Sequence, residues 1–245
     1  MNTSTGHAGQ RTGTLFLIPT TLGESALAEV LPPVVQQCAA RLRHFVGENA
    51  KTTRAFLKLA GIETPLQQVQ ISELNVNTLA TALPTLLQPL LDGHDTGLVS
   101  EAGCPAVADP GSALVQLAHQ HGITVKPLVG PSSLLLALMA SGLNGQAFAF
   151  NGYLPTDPAQ RAQRLRELEK RSRQEGQTQL CIETPYRNQA LFDALLQTLS
   201  PATWLCVACE LTTANEKITT QRVADWKKRQ ATLPRAPAVF LFLAE

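Results

Sequence analysis

Short apolar runs alternate with longer segments of helical periodicity through the first half of the chain. Five runs have the length and apolarity of buried strands: residues 15–18, 44–46, 69–71, 96–99 and 124–127. Three intervening segments repeat their apolar residues at helical spacing: residues 33–43, 76–91 and 112–121. Strands that alternate with helices are joined by crossovers and pair in parallel. The pattern therefore predicts an α/β fold built on a mainly parallel sheet.

The second half of the chain repeats no motif of the first and needs a sheet of its own. Strands are expected at residues 148–150, 178–183, 204–209 and 238–243, and helices at residues 158–174 and 187–199. Another helix follows Gly130-Pro131-Ser132-Ser133, where we expect the proline in the first turn. We predict a disordered tail over residues 1–13 and two α/β domains, 14–129 and 130–245. Because ligands favour domain interfaces and the carboxyl ends of parallel strands, the cleft between these domains is the expected site.

The composition of the 245-residue chain limits its class and its partners. With 44% hydrophobic and 16% charged residues, the chain is not of the disordered class. Its formal net charge of +1 permits a nucleic-acid substrate but predicts no large electrostatic contribution to the affinity for one. Five scattered cysteines indicate a reducing, cytoplasmic compartment rather than a disulfide scaffold. Neither the polar amino-terminal tail nor the longest apolar run, residues 134–140, predicts a secretory signal or a membrane span.

The segment from Gly97 to Gly111 carries the strongest chemical signal. A buried strand is followed by a loop that contains Gly103, Pro105 and Pro110, residues that permit close backbone approach or fix the chain in one shape. A connection without function needs about 2–6 residues, so a longer and more structured loop indicates a site. The sequence contains neither a G-x-G-x-x-G nor a Walker A motif, so neither a dinucleotide fold nor a P-loop is supported.

This loop also carries a family resemblance. Ser100-Glu-Ala-Gly-Cys-Pro105, together with Asp109-Pro-Gly111, resembles the S-D/E-A-G-x-P and D-P-G signature of ribosomal RNA ribose methyltransferases in the tetrapyrrole-methylase superfamily. Six further segments agree with that family in chain order: residues 13–20, 127–133, 141–143, 152–155, 183–187 and 210–212. The sequence is therefore similar to the small-subunit ribosomal RNA (cytidine) ribose 2′-O-methyltransferases, as a shorter branch.

The resemblance implies two α/β domains of the tetrapyrrole-methylase type, a homodimer, and S-adenosylmethionine bound in the cleft between the domains. Carried over by position, the cofactor-binding residues of the first domain are Pro19, Ser100, Ala102, Gly103, Pro105, Val107 and Asp109. Those of the second domain are Ser132, Ser133, Ile182, Leu211 and Ala238. The implied partner is ribosomal RNA or the small ribosomal subunit.

Methyl transfer from a sulfonium to a ribose hydroxyl needs in-line positioning and is helped by a general base. Our candidates for that base are Glu101 in the loop and Glu183 at a strand end. Lys51, Arg54 and Arg187 are the candidates for substrate phosphate, with Arg187 suited to a bidentate contact. The chemistry requires no metal, and no metal site is expected from the five histidines.

Two departures from the larger family members leave other functions open. Where those members have an acidic E-D-T-R segment, this chain reads Glu48-Asn-Ala-Lys-Thr-Thr-Arg54, and we expect no carboxyl-terminal extension after the last strand. One alternative is a small-molecule methyltransferase that acts on a tetrapyrrole, although such enzymes usually have a G-D-P form of the loop. The other alternative is a cofactor-binding regulator without catalytic activity.

Three other patterns have structural interpretations. Cys206 and Cys209 form a C-x-x-C pair in an apolar strand, where residues three apart face opposite sides, so two core thiols are expected. The arginine-rich helix at 158–174 is expected to bury Leu165 and Leu168 and to pair Glu167 and Glu169 with its basic residues on a solvated face. Among the histidines, His119 and His121 are expected at an exposed helix end, and His44 and His94 as isolated residues.

Overall fold

The computed structural model describes residues 11–229 and 231–245, so most of the predicted amino-terminal tail lies outside the described residues. The chain forms two compact units, each with one five-stranded sheet. Among the described residues, the first unit comprises those up to Thr21 together with Ser25–Pro131, and the second comprises Leu22–Glu24 and those from Ser132 to Glu245. No helix in the described part of the chain is long and apolar enough to cross a membrane.

The sheet of the first unit is parallel throughout, which confirms the prediction for this half of the chain. Its strands are β1 (Thr14–Ile18), β2 (His44–Gly47), β3 (Gln70–Glu73), β4 (Thr96–Val99) and β5 (Thr124–Pro127), in the order β3-β2-β4-β1-β5. Central β4 is buried along its whole length and pairs with β2 and β1. The carboxyl ends of β1, β2 and β4 therefore meet at one edge of the sheet, where the loop after Val99 begins.

Helices cover both faces of this sheet. They are α1 (Leu27–Val30), α2 (Pro33–Arg41), α3 (Ala50–Leu59), α4 (Leu83–Leu91) and α5 (Gly111–Gln120), with one 3₁₀ turn at Ala80–Ala82. Alternate strand residues feed two cores, so Phe16 and Phe45 pack with α2 and α3 while Leu15 and Val46 pack with α4 and α5. The helix predicted over 76–91 starts only at Leu83, after the 3₁₀ turn.

The second unit also has five strands, but only one of its strand pairs is parallel. The strands are β6 (Phe148–Tyr153), β7 (Thr178–Glu183), β8 (Trp204–Cys209), β9 (Lys217–Arg222) and β10 (Ala238–Leu243), in the order β6-β7-β10-β8-β9. Pair β6–β7 is parallel, whereas β7–β10, β10–β8 and β8–β9 are antiparallel. The separate sheet expected for this half is present, but its strand directions were not predicted from the sequence. Residues 210–216 join β8 to β9 as a short hairpin connection, which returns the chain in the opposite direction.

Four helices flank the second sheet: α6 (Ser133–Ser141), α7 (Pro158–Glu175), α8 (Asn188–Thr198) and α9 (Val223–Arg229). On one face, α6 packs against Leu180, Ala208 and Leu241. On the other face, the remaining three helices enclose Phe240 and Phe242. Helix α6 begins at Ser133 with Ser132 at its N-cap, so Pro131 precedes the cap and does not occupy the first turn as predicted.

The structural interpretations of the cysteines and leucines are confirmed, whereas the expected pairing of Glu169 is wrong. Cys206 and Cys209 are buried in cores on opposite faces of the second sheet. Leu165 and Leu168 of α7 are buried as expected, but Glu169 is buried as well, and its Oε1 accepts hydrogen bonds from Ser200 N (2.7 Å) and Thr203 Oγ1 (2.5 Å). A turn of helix places residue 169 beside 165 and 168, so this carboxylate faces the core and pairs with no basic residue of its own helix.

The histidine predictions have different outcomes. His119 and His121 are exposed at the end of α5, as predicted. His44 and His94 are not isolated, because their rings stack with centroids 4.8 Å apart and planes inclined by 17°. Parallel pairing brings the first residue of β2 level with Thr96, two residues after His94, and so joins side chains that lie far apart in the sequence.

Candidate active site

The loop that follows β4 is hydrogen-bonded at its start to Thr20, in the segment that follows the neighbouring strand β1. Thr20 donates from its backbone N to Gly103 O (3.0 Å) and from its hydroxyl to Ser100 O (3.2 Å). The Ser100 hydroxyl also donates to Gly103 O, at 2.7 Å. Ser100, Gly103 and Pro105 are buried, while Ala102 is exposed. Two loop segments from adjacent strands are thus fixed together at the carboxyl edge of the sheet.

Asp109 holds the second half of the same loop. Its Oδ1 accepts hydrogen bonds from Ala106 N (2.7 Å) and Gly111 N (2.8 Å). Between them, Ala106 and Ala108 adopt left-handed φ angles of 65° and 59°, a conformation that costs free energy in residues other than glycine and is characteristic of functional loops. Burial raises the pKa of Asp109, and the two backbone hydrogen bonds counteract that rise only in part. One oxygen of this carboxylate is therefore committed to the loop itself.

Glu101 is exposed and is connected to α3, a helix that the sequence did not predict. The Thr52 hydroxyl donates a 2.5 Å hydrogen bond to Glu101 Oε1. Helix α3 begins next to this contact because Asn49 caps it, with its Oδ1 accepting from Lys51 N at 2.8 Å. The first turn of α3 is therefore adjacent to the loop after β4.

Glu48 joins the acidic residues of this edge and was missed by sequence reasoning. Burial raises its pKa, and the nearby negative charge of Asp109 raises it further. The sequence did contain a signal for Glu48, because it lies just past the predicted strand 44–46 and the carboxyl ends of parallel strands meet at one edge of a sheet. That signal could not be read without knowing that β2 lies beside β4.

The other predicted residues of the first unit lie at the same edge. Pro19 follows β1 and packs against Gly130, where an added Cβ would be 2.3 Å from the Pro19 Cβ. Val107 is 48% exposed at the outer part of the loop. Lys51 and Arg54 are exposed on the first turns of α3, and Arg54 Nη1 contacts Ala50 O at 3.4 Å. This half of the predicted site is thus a single cluster.

The second unit brings some of its predicted residues together and separates others. Ser132 and Ser133 form the half-buried start of α6. Ile182 and Leu211 pack in the core that α6 covers. The side chain of Ala238 belongs instead to the core on the opposite face of the sheet, so only its backbone can share a site with the other four.

Glu183 and Arg187 are engaged with each other. Arg187 Nη2 and Nε donate to Glu183 Oε1 at 2.7 and 3.0 Å, and Thr184 N donates to the same oxygen at 2.7 Å. The Glu183 side chain is 1% exposed, and it follows Ile182 on a strand, so it faces the opposite side of the sheet. Glu183 Oε1 therefore already accepts three hydrogen bonds, two from Arg187 and one from Thr184. Arg187 has one edge of its guanidinium in this pair and retains the Nη1 side for another acceptor.

Comparisons with known proteins agree on one family. The family model described as Tetrapyrrole (Corrin/Porphyrin) Methylases matches residues 28–226. A "Ribosomal RNA small subunit methyltransferase I" of Xylella fastidiosa is 38% identical over 156 residues, which cover 64% of this chain and 54% of the relative. Relatives of the same name from Mesorhizobium japonicum and Halalkalibacterium halodurans are each 32% identical; the matches cover 84% and 90% of this chain and 66% and 73% of those relatives. The chain thus spans less than two thirds of the length of the first two.

Solved structures of low sequence identity share the fold. The methyltransferase CobJ is 17% identical with a TM-score of 0.62, and the comparison covers 96% of this chain and all of that one (100%). A cobalt precorrin-4 methyltransferase is 15% identical with a TM-score of 0.61, covering 94% of both chains. These likenesses support the predicted two-domain α/β class.

Proposed function

Because the chain belongs to the tetrapyrrole (corrin/porphyrin) methylase family, we propose that it is an S-adenosylmethionine-dependent methyltransferase that acts on a ribose 2′-hydroxyl of small-subunit ribosomal RNA. The observation that carries this proposal is the loop after β4. Its Ser100–Pro105 and Asp109–Gly111 segments have the ribosomal type of sequence, and they are fixed by Thr20 and Asp109 at the carboxyl edge of a parallel sheet. Ligands of open α/β sheets bind at this edge.

The residues of this loop suit the proposed cofactor. The exposed Val107 side chain offers apolar surface to the cofactor. Asp109 acts by holding the loop, because its Oδ1 already accepts two backbone hydrogen bonds. When bound, S-adenosylmethionine would supply an electrophilic methyl group on a sulfonium. We propose that the cofactor is also bound by residues of the second unit: Ser132, Ser133, Ile182, Leu211 and the backbone of Ala238.

Of the two predicted general bases, Glu101 fits better than Glu183. Glu101 is exposed and accepts one hydrogen bond from Thr52, whereas Glu183 is buried and paired with Arg187. Glu48 provides a second carboxylate at the same edge. We propose that Glu101 accepts the proton of the ribose hydroxyl and that Glu48 keeps a negative potential there.

The proposed acceptor is consistent with the cationic residues near the loop. Lys51 and Arg54 are exposed on the helix that Thr52 connects to Glu101, and they can hold phosphates next to the reacting ribose. Arg187 can contact phosphate through its remaining edge. We further propose a cytoplasmic homodimer whose partner is ribosomal RNA or the small ribosomal subunit. A tetrapyrrole acceptor has weaker support, because the relatives at 32–38% identity carry the ribosomal RNA name and the solved tetrapyrrole enzymes are similar in fold alone.

The test uses the purified chain, methyl-labelled S-adenosylmethionine and small ribosomal subunits that lack ribose methylation. Label in the RNA, mapped by nuclease digestion and mass spectrometry to one ribose, is the expected result. The exposed residue Glu63 provides a matched control, since Glu63→Gln should leave the rate unchanged whereas Glu101→Gln should lower it. Cofactor binding without label in any RNA would contradict the ribosomal assignment, and label in a tetrapyrrole would establish the alternative. Binding of the cofactor without methylation of either acceptor would favour the alternative of a cofactor-binding regulator without catalytic activity.

A further inference from the structure

A cavity lies at the opposite end of the strands of the first unit's sheet, away from the loop after β4. It has a volume of about 570 Å³ and is lined by residues at the amino ends of the parallel strands. His44 begins β2, Gln70 begins β3, and His94 and Asp95 directly precede β4. A four-residue strand spans about 10 Å, so this amino-edge pocket is separated from the loop after β4 by the length of the strands. None of its residues takes part in the proposed methyl transfer.

Two arginines and one carboxylate give the amino-edge pocket a net positive charge. Among the described residues, neither Arg41 nor Arg43 forms an ion pair with a carboxylate. The Arg41 guanidinium lies 5.9 Å from the centre of the Phe16 ring, a contact that positions the side chain without neutralising it. The carboxylate in the pocket, Asp95, accepts a 2.7 Å hydrogen bond from Thr14 N and so has one oxygen engaged.

The stacked imidazoles of His44 and His94 provide an aromatic surface beside these cations. Burial lowers the pKa of His44, and the neighbouring His94 lowers it further, so His44 favours its neutral form. His44 Nδ1 is buried and has no hydrogen-bond partner in the described part of the chain. This nitrogen is therefore not held by a protein group in the described part of the chain.

This combination fits one class of ligand. Guanidinium groups bind phosphate through paired hydrogen bonds, aromatic rings including histidine stack on unpaired bases, and the Gln70 carboxamide can both donate to and accept from a base edge. The volume of about 570 Å³ lies within the range of small-ligand sites. We propose that the amino-edge pocket binds one nucleotide unit, with its phosphoryl group on Arg41 and Arg43 and its base against the histidine pair. The inference goes beyond the proposed function and does not depend on it.

The experiment measures binding by calorimetry to the full chain, with uridine 5′-monophosphate, uridine and a short oligouridylate as probes. Saturating S-adenosylhomocysteine keeps the proposed cofactor site filled, and a pyrimidine probe has little resemblance to the adenosine of the cofactor. Methyl transfer is not part of the readout, so this test can succeed or fail whatever the outcome for the proposed function. The expected result is saturable binding of the monophosphate and much weaker binding of uridine.

Two variants with equal loss of charge identify the site. Arg41→Gln with Arg43→Gln should weaken binding of the monophosphate by about tenfold or more, because two charge-assisted contacts are lost. Lys58→Gln with Lys227→Gln removes the same charge from exposed positions elsewhere and should leave the affinity unchanged. Circular dichroism verifies that both double variants are folded, and Gln70→Ala provides an uncharged third variant that should weaken binding more modestly.

The probes also distinguish the two sources of such a ligand. Tighter binding of the oligouridylate than of the monophosphate, lost in the Arg41/Arg43 variant, would identify a strand of RNA. Binding of the monophosphate alone would identify a free nucleotide. Absence of saturable binding for both phosphate probes, or equal weakening by the control variant, would overturn the proposal.

Discussion

Thr52 donates its hydroxyl hydrogen to Glu101 Oε1 at 2.5 Å, and this contact joins two segments that are 49 residues apart in the sequence. Thr52 lies on the first turn of α3, which follows β2, and Glu101 lies in the loop that follows β4. The two strands are neighbours in the sheet, so their carboxyl ends bring together the proposed base and the cationic residues Lys51 and Arg54. These residues all belong to the first unit, so their proposed roles can be tested by substitutions in that unit alone.

The proposed role of Glu101 predicts a graded response of activity. Glu101→Gln should lower the methylation rate by about 100-fold or more, because a positioned general base contributes that much. Thr52→Val keeps the shape of the side chain but removes the hydrogen bond, and should cost a factor of about 2–5 through looser positioning. Single-turnover methylation with saturating cofactor measures both. If Glu101→Gln retains the full rate, the proton acceptor is another group.

Asp109 should contribute to the order of its loop more than to cofactor contact. Asp109→Ala leaves Ala106 N and Gly111 N without their acceptor and should destabilise the first unit by about 1–3 kcal/mol. Asp109→Asn keeps an acceptor oxygen and should cost less. Hydrogen exchange of residues 100–111 is the direct measurement, supported by urea unfolding. As a control, the exposed Asp92, which pairs with Gln88, should tolerate alanine within about 0.5 kcal/mol.

Two ion pairs with the same separation in the sequence should differ in their effect on stability. Arg187→Ala leaves the buried Glu183 carboxylate without its cation and should cost about 2–3 kcal/mol. Arg171→Ala breaks an exposed pair with Glu175 and should cost less than about 1 kcal/mol. Urea unfolding followed by tryptophan fluorescence suits this comparison, since both tryptophans of the chain, Trp204 and Trp226, lie in the second unit. Equal costs for the two substitutions would show that Glu183 is solvated in solution.

Glu169 and Glu167 form a matched pair on α7. Glu169→Ala should destabilise the second unit by about 2–3 kcal/mol, because Ser200 N and Thr203 Oγ1 both lose a charged acceptor. Glu167→Ala removes an exposed carboxylate that pairs with Arg164 at 3.3 Å, and should change stability by less than about 1 kcal/mol. Trp204 fluorescence reports the effect from the residue next to Thr203. A similar cost at both positions would contradict the buried placement of Glu169.

The His44–His94 stack predicts a specific dependence on pH. Because burial and His94 lower the pKa of His44 below its ordinary value of 6.5 in the folded chain, the unfolded chain takes up the proton first as the pH falls. The contribution of His44 to the free energy of unfolding should therefore be lost below about pH 6.5 and be fully present above it. NMR titration of the imidazole resonances gives the pKa directly. His94→Gln should raise it towards 6.5, and His44→Gln should flatten the pH dependence of stability; an unchanged pKa in the His94 variant would show that the stack does not form.

Several elements were predictable because their signals are local. The strands Thr96–Val99, Thr124–Pro127, Thr178–Glu183, Trp204–Cys209 and Ala238–Leu243 begin and end at the predicted residues. Four of them are buried over most of their length, and a buried strand requires a short apolar run between polar or turn residues. The exception, Thr124–Pro127, is a mostly exposed edge strand. Strand β9 was missed because Lys217–Arg222 is a polar edge strand in which Ile218 alone packs against a core. Helix α3 was missed because its short, mixed sequence depends on the Asn49 cap.

The sequence by itself determined the α/β class, the position of the loop after β4 and the residues that carry its family resemblance. The tertiary structure alone decided which residues meet: Thr52 with Glu101, His44 with His94, and Glu169 with Thr203. It also decided that Glu183 and Ala238 face away from the core that contains Ile182 and Leu211. The physical reason is that apolar periodicity is a property of each segment, whereas strand order, strand direction and the rotation of a helix are set by packing between segments distant in the chain.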